Sequence, residues 1–247
     1  MDGYRPSTYG DGFADVYDDW YADVSPPGAT ATFVATRTDG PVIELGSGTG
    51  RLAGPLREAG LPVVGVDASL AMLARSRSRV PSVPVAAADM AEIPVRHGSA
   101  GAVLVAFNTF FNLPTTSLQR RCLTEARALL TPGGIVIVET FVPGALPSGP
   151  ADHVELARLD ADGVVLRVSR TDPAERTVSG HHVELRDGEP VRLRPWHLHF
   201  TDPAGLDRIA ASAGLSLRER YADWAGAPFD VDCDTQVSVF GAAEGPR

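Results

Sequence analysis

The sequence predicts an α/β protein whose core is a doubly wound, mostly parallel seven-stranded sheet, with an antiparallel β-meander inserted after strand five. Through residue 141, short apolar runs alternate with helical patterns. Between His153 and Phe200, polar and apolar residues alternate, with turn signals and without a helical pattern. A helix and two strands then close the chain. Alternating apolar strands and helices favour a parallel sheet that is covered on both faces.

The first half of the chain supplies five strands and the helices between them. Gly60 ends the first helix, and the hydroxyl of Ser69 is placed to cap the second. The turn Thr131-Pro132-Gly133-Gly134 closes the third. The predicted strands are 41–45, 62–66, 83–87, 102–107 and 135–139, and the predicted helices are 51–59, a helix that begins after residue 69, and 118–130.

The second half begins with the meander, whose strands are separated by Asp162-Gly163, Asp172-Pro173 and Asp187-Gly188. Thr201-Asp202-Pro203 then opens a helix that Gly214 ends. Residues 215–221 and 236–240 are the closing strands. Because the meander lies between the fifth strand and the last helix, we expect it to form a flap over the carboxyl edge of the sheet.

Composition and charge exclude several classes of function. A net charge of −9 would repel a phosphate backbone, so we expect no nucleic-acid partner. All 22 basic residues are Arg, which excludes Schiff-base and Lys general-base chemistry. Cys122 and Cys233 are too few for a disulfide framework or a four-thiolate zinc site. The chain shows no apolar run of about 18 residues and no signal peptide, so we expect a cytoplasmic protein without a membrane partner.

The stretch Glu44-Leu45-Gly46-Ser47-Gly48-Thr49-Gly50 places alternating glycines after an apolar strand, which indicates that the backbone approaches a ligand closely. A phosphate-binding P-loop requires a Lys, which the chain lacks. A dinucleotide motif requires a later Gly or Ala. Counted from Gly46 that position is Arg51, which does not fit, whereas counted from Gly48 it is Ala53, which is tolerated. The loop alone therefore leaves the ligand open.

Two carboxylates end the neighbouring strands. Asp67 follows the second strand and Asp89 the third, and the ends of adjacent parallel strands line one crevice. A carboxylate at Asp67 can accept both ribose hydroxyls of a nucleoside, NAD included. Asp89 can accept a hydrogen bond from an adenine amine, and Met90 offers a polarizable face to the ring. The second carboxylate favours a nucleoside without phosphates.

These residues resemble the class I S-adenosylmethionine-dependent methyltransferases, motif by motif from Tyr9 to about Val142. The glycine loop, Asp67, the Asp89-Met90 pair, Phe107-Asn108 after strand four and the Leu129-to-Gly134 turn occur in family order. The resemblance implies a Rossmann-like fold and S-adenosyl-L-methionine as the cofactor. The cofactor-binding residues it implies are Tyr17, Tyr21, Glu44, Gly46, Ser47, Gly48, Asp67, Ala68, Asp89, Met90 and Phe107.

The resemblance is nearest to the bacterial small-molecule, natural-product branch. The segment Phe13 to Tyr21 is similar to the lid of sugar amine dimethyltransferases, which share the inserted meander; its aromatic residues would equally suit an amphipathic helix packed on the core. The motifs of nucleic-acid amino-methylating and cytosine C5 enzymes are absent after strand four. We expect one methyltransferase domain over residues 1–247, with a lid helix region (1–30), a cofactor-binding core (31–142), a substrate flap (150–200) and closing elements (201–247).

The sequence identifies the residues of the acceptor site less specifically than those of the cofactor site. Methyl transfer depends mainly on positioning, although a hydroxyl acceptor benefits from a general base. The histidines concentrate in the flap, and strand alternation places His197 and His199 opposite Trp196, Leu198 and Phe200. The candidate catalytic residues are His182, His197 and His199, and the candidate substrate residues are Tyr17, Asn108, Phe111, Arg194 and Trp196.

Several alternatives remain open from the sequence. The acceptor is a hydroxyl or amine of a small molecule, sugar-bearing compounds included; a peptide or carboxylate O-methyltransferase and a non-catalytic S-adenosylmethionine-binding protein are the alternatives. The arginine-rich flap would suit an anionic acceptor. Asp230, Asp232 and Asp234 alternate as Mg²⁺ ligands could, but such a run is more typical of a solvated loop, and we expect no metal. A homodimer also remains open.

Overall fold

The structure, a computed structural model, describes residues 3–22, 24–144, 147–230 and 232–243. Its central sheet has seven strands in the order β10-β11-β5-β4-β1-β2-β3. All neighbouring pairs from β5 to β3 are parallel, and β11 pairs antiparallel with both β5 and β10. The strands are β1 (Val42–Leu45), β2 (Val63–Asp67), β3 (Val85–Ala87), β4 (Ala100–Val105), β5 (Leu130–Phe141), β10 (Leu215–Tyr221) and β11 (Thr235–Ala242).

Helices cover both faces of this sheet, as the continuous apolar strands require. Every residue of β1 and β4 is buried, and the apolar core divides into one cluster on each side of the sheet. The helices are α1 (Thr8–Phe13), α2 (Tyr17–Trp20), α3 (Pro27–Ala35), α4 (Ala53–Glu58), α5 (Leu70–Arg79), α6 (Thr116–Leu129) and α7 (Pro203–Ser212), with a 3₁₀ turn at Thr109–Asn112. The doubly wound α/β prediction is confirmed.

Side-chain caps fix where three of the helices begin. Ser69 Oγ accepts a hydrogen bond from Met72 N–H at 3.2 Å and starts α5, as predicted. Thr115 Oγ1 accepts from Leu118 N–H at 3.2 Å before α6. Asp202 Oδ1 accepts from Gly205 N–H at 2.5 Å before α7. Each cap satisfies a backbone donor that the first helical turn leaves without a partner.

The predicted meander forms a separate four-stranded antiparallel sheet in the order β6-β7-β8-β9. We call this sheet the flap. One face of the flap packs against α1 and the carboxyl end of the central sheet, where Val165, Glu184 and Arg194 are buried. Its strands are β6 (Ala151–Leu159), β7 (Gly163–Asp172), β8 (Thr177–Arg186) and β9 (Arg192–His199).

Several element boundaries differ from the sequence prediction, and three of the differences concern the site or the long fifth strand. β4 ends at Val105 and not at residue 107, because Phe107 and Asn108 both adopt left-handed backbone conformations, with φ of 46° and 59°. β5 begins at Leu130, since the predicted turn pairs with Ala100 and extends the strand. The N-terminal lid is divided into α1 and α2. In the described residues, no helix has both the length and the apolar character needed to cross a membrane.

Candidate active site

A cavity of about 540 Å³ lies at the carboxyl ends of the parallel strands. Its floor is formed by the loops after β1, β2, β3 and β4, and its cover by the N-terminal segment and the inner face of β8 and β9. Crevices at this edge are the usual ligand sites of open α/β sheets. The predicted residues that line it are Tyr17, Tyr21, Gly46, Gly48, Asp67, Ala68, Asp89, Met90, Phe107, Asn108, His182, Trp196 and His197.

The glycine loop borders the cavity with its backbone. Gly46 and Gly48 have φ of 65° and 54°, a region that L side chains rarely adopt. A Cβ atom on Gly46 would also collide with Thr109 Cγ2, in the 3₁₀ turn that follows β4. Glycine at position 46 is therefore required twice, by its backbone conformation and by the close approach of Thr109.

The Asp67 carboxylate is held in a fixed orientation. Oδ2 accepts from Gly48 N–H at 2.8 Å, and Oδ1 accepts from Ser69 N–H at 2.8 Å. Burial nevertheless raises the pKa of Asp67, because these two N–H groups only partly offset the loss of water. A desolvated carboxylate with defined lone pairs is suited to accept two vicinal hydroxyls. Asp89, which ends the neighbouring segment, has Oδ1 oriented by Ala91 N–H at 2.8 Å.

Glu44 and Ser47 lie behind the cavity and not on its surface. The Glu44 side chain is 4% exposed, and burial raises its pKa to about 8. Its Oε2 has no hydrogen-bond partner among the described residues. Ser47 is buried over Gly65 of β2, where an added Cβ would lie 2.6 Å from Ser47 Oγ. Both residues support the loop from beneath, and their predicted contact with a ligand remains a prediction.

Three tyrosines of the N-terminal segment cluster over the cavity. The ring centroids of Tyr17 and Tyr21 are 5.1 Å apart, and Tyr9 meets Tyr17 edge-on at 6.4 Å. Burial raises the pKa of all three, so their hydroxyls remain protonated hydrogen-bond donors at neutral pH. Tyr9 was missed by the sequence analysis, although an aromatic residue one helical turn before Phe13 is a signal that could have identified it.

Glu139 is a further residue that the sequence analysis missed. It lies near the end of β5, where Oε2 accepts from Phe107 N–H at 2.6 Å and from Ser25 Oγ, and Oε1 accepts from Trp224 Nε1–H at 2.6 Å. These bonds hold the left-handed turn at Phe107, whose ring faces Tyr21 in the cavity. The signal in the sequence was a carboxylate at the end of the apolar run Ile135-to-Val138.

The three candidate histidines lie in different surroundings. His182 projects from the inner face of the flap into the cavity, and burial with the nearby Arg167 and Arg194 lowers its pKa to about 4. The side chain of His197 leaves the flap on the face opposite to that of His182. Because β9 is an edge strand, the His197 ring still reaches the cavity, where its centroid lies 5.9 Å from that of the Tyr4 ring. His199 does not line the cavity, because its Nε2 lies 3.2 Å from Thr116 Oγ1 at the start of α6.

Some of the predicted substrate residues line the cavity and others do not. Trp196 and Asn108 line the cavity, although Asn108 Oδ1 is already bonded to Phe141 N–H at 2.5 Å. Phe111 does not line it, because its fully buried ring packs edge-on against Phe141 in the core. Arg194 does not line it either: its side chain is 2% exposed and is bonded to Glu184, Asp15 and the Gly12 carbonyl.

The acidic run before β11 is organised by its own backbone. Asp230 Oδ1 accepts from Asp232 N–H at 2.9 Å, which is typical of a turn. Within the described ranges, no group of three or more His, Cys, Asp or Glu side chains is placed to hold a metal ion.

The residues on the cavity floor fit a nucleoside. The glycine loop gives close backbone approach, Asp67 offers an oriented hydroxyl acceptor, and Met72, Ala88 and Met90 provide apolar surface. The opposite end is lined by Leu113, Leu118, Phe141, Val178 and Leu198, which makes it mainly apolar. The cavity thus combines a polar nucleoside half with an apolar half beneath the flap.

Comparison with known proteins identifies the same type of site. Residues 42–134 match a family model described as a methyltransferase domain. The chain is 32% identical over 100 residues to the demethylmenaquinone methyltransferase of Renibacterium salmoninarum, an alignment that covers 40% of each chain. The chain thus spans well under two thirds of the length of that curated relative.

Two solved structures match over nearly the whole chain. The CcbJ methyltransferase of Streptomyces caelestis superposes with a TM-score of 0.91 and 38% identity, covering 98% of this chain and 100% of that one. A S-adenosylmethionine-dependent methyltransferase of Clostridium acetobutylicum superposes with a TM-score of 0.80 over 95% of this chain and 99% of that one, at 15% identity, so that this second likeness concerns the fold.

Proposed function

The chain belongs to the class I S-adenosylmethionine-dependent methyltransferases, in their bacterial small-molecule branch, and we propose that it transfers a methyl group to a nitrogen of a small-molecule acceptor. S-Adenosylmethionine, when bound, supplies an electrophilic methyl group on a sulfonium. We infer that residues 31–142 hold this cofactor and that residues 150–200 form the acceptor wall. The burial of His182 in the acceptor wall of a mainly apolar cavity, which lowers its pKa to about 4, is the observation that supports the choice of nitrogen.

Cofactor binding would use the polar half of the cavity. The Asp67 carboxylate, oriented by two backbone N–H groups, would accept the ribose hydroxyls. Asp89 and Met90 would contact the adenine, and the backbone at Gly46 and Gly48 would lie against the methionine portion. Tyr17 and Tyr21 would close over the cofactor as neutral hydrogen-bond donors.

The two histidines that line the acceptor half of the cavity, His182 and His197, both have a lowered pKa. A hydroxyl acceptor needs a base with a pKa near the working pH, whereas burial and two arginines hold the pKa of His182 at about 4. His197 also has a lowered pKa, and its Nδ1 is 2.7 Å from Ser179 Oγ. Asp67 and Asp89 are the two carboxylates of the lining, and they lie on the cofactor floor.

An amine acceptor needs only to be deprotonated. A mainly apolar cavity disfavours a buried ammonium. The surroundings would therefore lower the pKa of a bound amine and keep its lone pair available. The tyrosine hydroxyls and the rings of Trp196 and Phe107 would orient it for in-line attack.

The flap arginines weigh against an anionic acceptor. Five of the seven arginines between residues 150 and 200 are paired with carboxylates of the chain, which leaves them less able to bind a carboxylate ligand. The pairs are Arg167 with Glu155, Arg170 with Asp152, Arg186 with Glu184 and Asp162, Arg192 with Asp15, and Arg194 with Asp15 and Glu184. A peptide or carboxylate acceptor is thus less well supported than an amine.

The test compares amine acceptors with alcohols of the same shape, using the wild type and His182→Asn. Asn keeps a polar side chain but is not a base. With an amine acceptor we expect kcat/KM of His182→Asn to stay within about 10-fold of wild type, since only positioning changes. The matched control is His153→Asn, at an exposed flap position outside the cavity.

The pH profile provides a second criterion. For nitrogen methylation, kcat/KM should rise with pH until the free amine is deprotonated, and this limb should persist in His182→Asn. Methylation of the alcohols alone, with a loss of about 100-fold or more in His182→Asn, would contradict the proposal. Cofactor binding without transfer to any acceptor class would favour a non-catalytic protein.

A further inference from the structure

The end of the cavity that lies away from the glycine loop and Asp67 is walled by aliphatic and aromatic side chains from several elements. They are Leu113 after the 3₁₀ turn, Leu118 on α6, Phe141 at the end of β5, Val178 on β8 and Leu198 on β9. All but the buried Leu113 pack against the core and yet are only partly buried. Because they also line the cavity, the cavity receives apolar surface that the core leaves uncovered. We call these five residues the apolar subsite.

Strand register orders the side chains on the inner face of the flap. Val178 lies opposite Leu198, Gly180 lies opposite Trp196, and His182 follows two residues further along β8. Positions two apart share one face of a strand. The inner face over the cavity therefore changes from polar at His182, through the indole of Trp196, to aliphatic at Val178 and Leu198.

The Trp196 ring marks the beginning of the apolar subsite. A Cβ atom on Gly180 would lie 2.9 Å from Trp196 Cζ2, so the ring lies directly against this glycine. The pair of Val178 and Leu198 is two residues further along the strands, a distance of about 7 Å, which a straight chain of about five or six carbons spans.

The polar side chains beside the apolar subsite are directed elsewhere. His199 Nε2 lies 3.2 Å from Thr116 Oγ1, and Ser179 Oγ lies 2.7 Å from His197 Nδ1. Asn112 donates its amide within its own 3₁₀ turn, and its Oδ1 is fully buried. A hydroxyl placed among the five apolar side chains would lose water and gain no hydrogen bond from them, which is costly.

We propose that the apolar subsite binds an aliphatic group of about five or six carbons on the acceptor amine, and so selects amines with hydrocarbon substituents over amines with hydroxylated ones. This inference rests on the proposed transfer to nitrogen and adds the class of acceptor that the site prefers. With the nitrogen between Trp196 and Phe107, the chain would run beneath the flap to Val178 and Leu198. Pro114, which is exposed at the rim of the cavity, marks where a longer chain would meet solvent.

The first test measures kcat/KM of the wild type with labelled S-adenosylmethionine and primary n-alkylamines from propylamine to octylamine, whose amines ionise alike. We expect a rise of about 4-fold per added methylene up to hexylamine and little gain beyond it. 5-Aminopentanol has the length of hexylamine and should be at least about 10-fold poorer, because its hydroxyl would be buried without a partner. Activity that is independent of chain length, or higher with the amino alcohol, would overturn the proposal.

Variants of the subsite test the same preference. Val178→Thr replaces a methyl group with a hydroxyl in the same shape, and Leu198→Asn does so with an amide. Each should lower the ratio of kcat/KM for hexylamine to that for propylamine by about 5-fold or more. The matched control is Val168→Thr, at a 36% exposed position on β7 outside the cavity, which should keep the wild-type ratio. A general loss of stability does not change this ratio, and an unchanged ratio in both subsite variants would contradict the proposal.

A binding measurement separates this inference from the proposed reaction. Methylation of no amine in the series would mean that transfer to nitrogen is wrong, while the subsite is still tested by ligands that are not acceptors. With the protein saturated by S-adenosylhomocysteine, NMR titration should show n-hexanol binding at least about 10-fold more tightly than 1,5-pentanediol of the same length. Equal affinities would overturn the apolar subsite whatever the outcome for transfer.

Discussion

At the residue scale, Asp67 links the glycine loop to the second strand, because its two oxygens accept from Gly48 and Ser69 at 2.8 Å each. If Asp67 holds the cofactor as proposed, Asp67→Ala should weaken S-adenosylmethionine binding by about 1–3 kcal/mol, since the ribose hydroxyls would lose their acceptor and the loop its support. Isothermal titration measures this change. Asp39→Ala, at an exposed site, should bind as the wild type does; equal affinity of Asp67→Ala would mean that the ribose lies elsewhere.

Glu44 makes the stability of the folded protein depend on pH. Burial raises its pKa to about 8, above the ordinary value near 4.5, so the unfolded chain loses this proton first as pH rises. The ligand-free protein should therefore lose stability from pH 4.5 to pH 8 on account of this group. Glu44→Gln has no ionisable group at this position. The free energy of unfolding of Glu44→Gln minus that of the wild type should therefore increase by roughly 2–5 kcal/mol between pH 5 and pH 9. Urea unfolding at both pH values tests this, and a constant difference would refute it.

Glu139 determines the geometry of the turn that borders the cavity after β4. Glu139→Gln keeps the shape but replaces one acceptor oxygen with an NH₂ group, which leaves Trp224 Nε1–H or Phe107 N–H without an acceptor. We expect a loss of about 1–3 kcal/mol in the free energy of unfolding. Glu58→Gln, exposed at the end of α4, is the control and should change stability by less than about 0.5 kcal/mol. Equal effects would show that the three hydrogen bonds contribute little.

At the element scale, Arg194 joins the flap to the N-terminal lid. Its guanidinium bonds Glu184 on β8 at 2.7 Å and Asp15 between α1 and α2 at 2.6 Å, and it is 2% exposed. Arg194→Met should cost about 1.5–3 kcal/mol, because the buried Glu184 loses one of its two arginine partners and keeps only Arg186 at 2.9 Å. Arg170→Met, which removes an ion pair whose two members are 68% and 65% exposed, should cost at most about 1 kcal/mol.

Cofactor affinity measures whether the contact between the N-terminal lid and the flap matters for the site. If Arg194 holds the lid against the flap, Arg194→Met should also weaken S-adenosylmethionine binding, because Tyr17 and Tyr21 are carried by that lid. Addition of Glu184→Gln should recover part of the lost stability by removing a buried carboxylate that is left with Arg186 alone. Loss of stability without change in affinity would restrict Arg194 to a structural role.

The sequence predicted helices and strands well where a single interaction, such as burial of apolar side chains or one capping hydrogen bond, dominates their stability. The apolar strands β1, β2 and β4 and the Ser69 cap follow from burial and from one hydrogen bond. The end of β4 could not be predicted, because the left-handed turn at Phe107 is stabilised by Glu139, which is 32 residues away in sequence. The division of the lid into α1 and α2 depends likewise on contacts with the flap.

At the scale of the whole molecule, the sequence predicted the floor of the cavity better than its cover. The floor follows a parallel sheet, where strand ends meet at one edge and residues such as Asp67 and Asp89 are brought together by topology alone. The cover depends on how the flap docks, which strand alternation does not determine. For this reason Arg194 was expected in the cavity but is engaged by Asp15, whereas Tyr9 lines it without having been predicted.

The central claim, methyl transfer from S-adenosylmethionine to nitrogen, is tested most directly by incubating the protein with methyl-labelled cofactor and matched amine and alcohol acceptors. Tandem mass spectrometry then locates the label. The account predicts labelled methyl groups on nitrogen, formed by wild type, retained within about 10-fold by His182→Asn and reduced in Asp67→Ala in proportion to its weaker cofactor binding. Label found on oxygen or carbon of the acceptors, and absent from nitrogen, would contradict it.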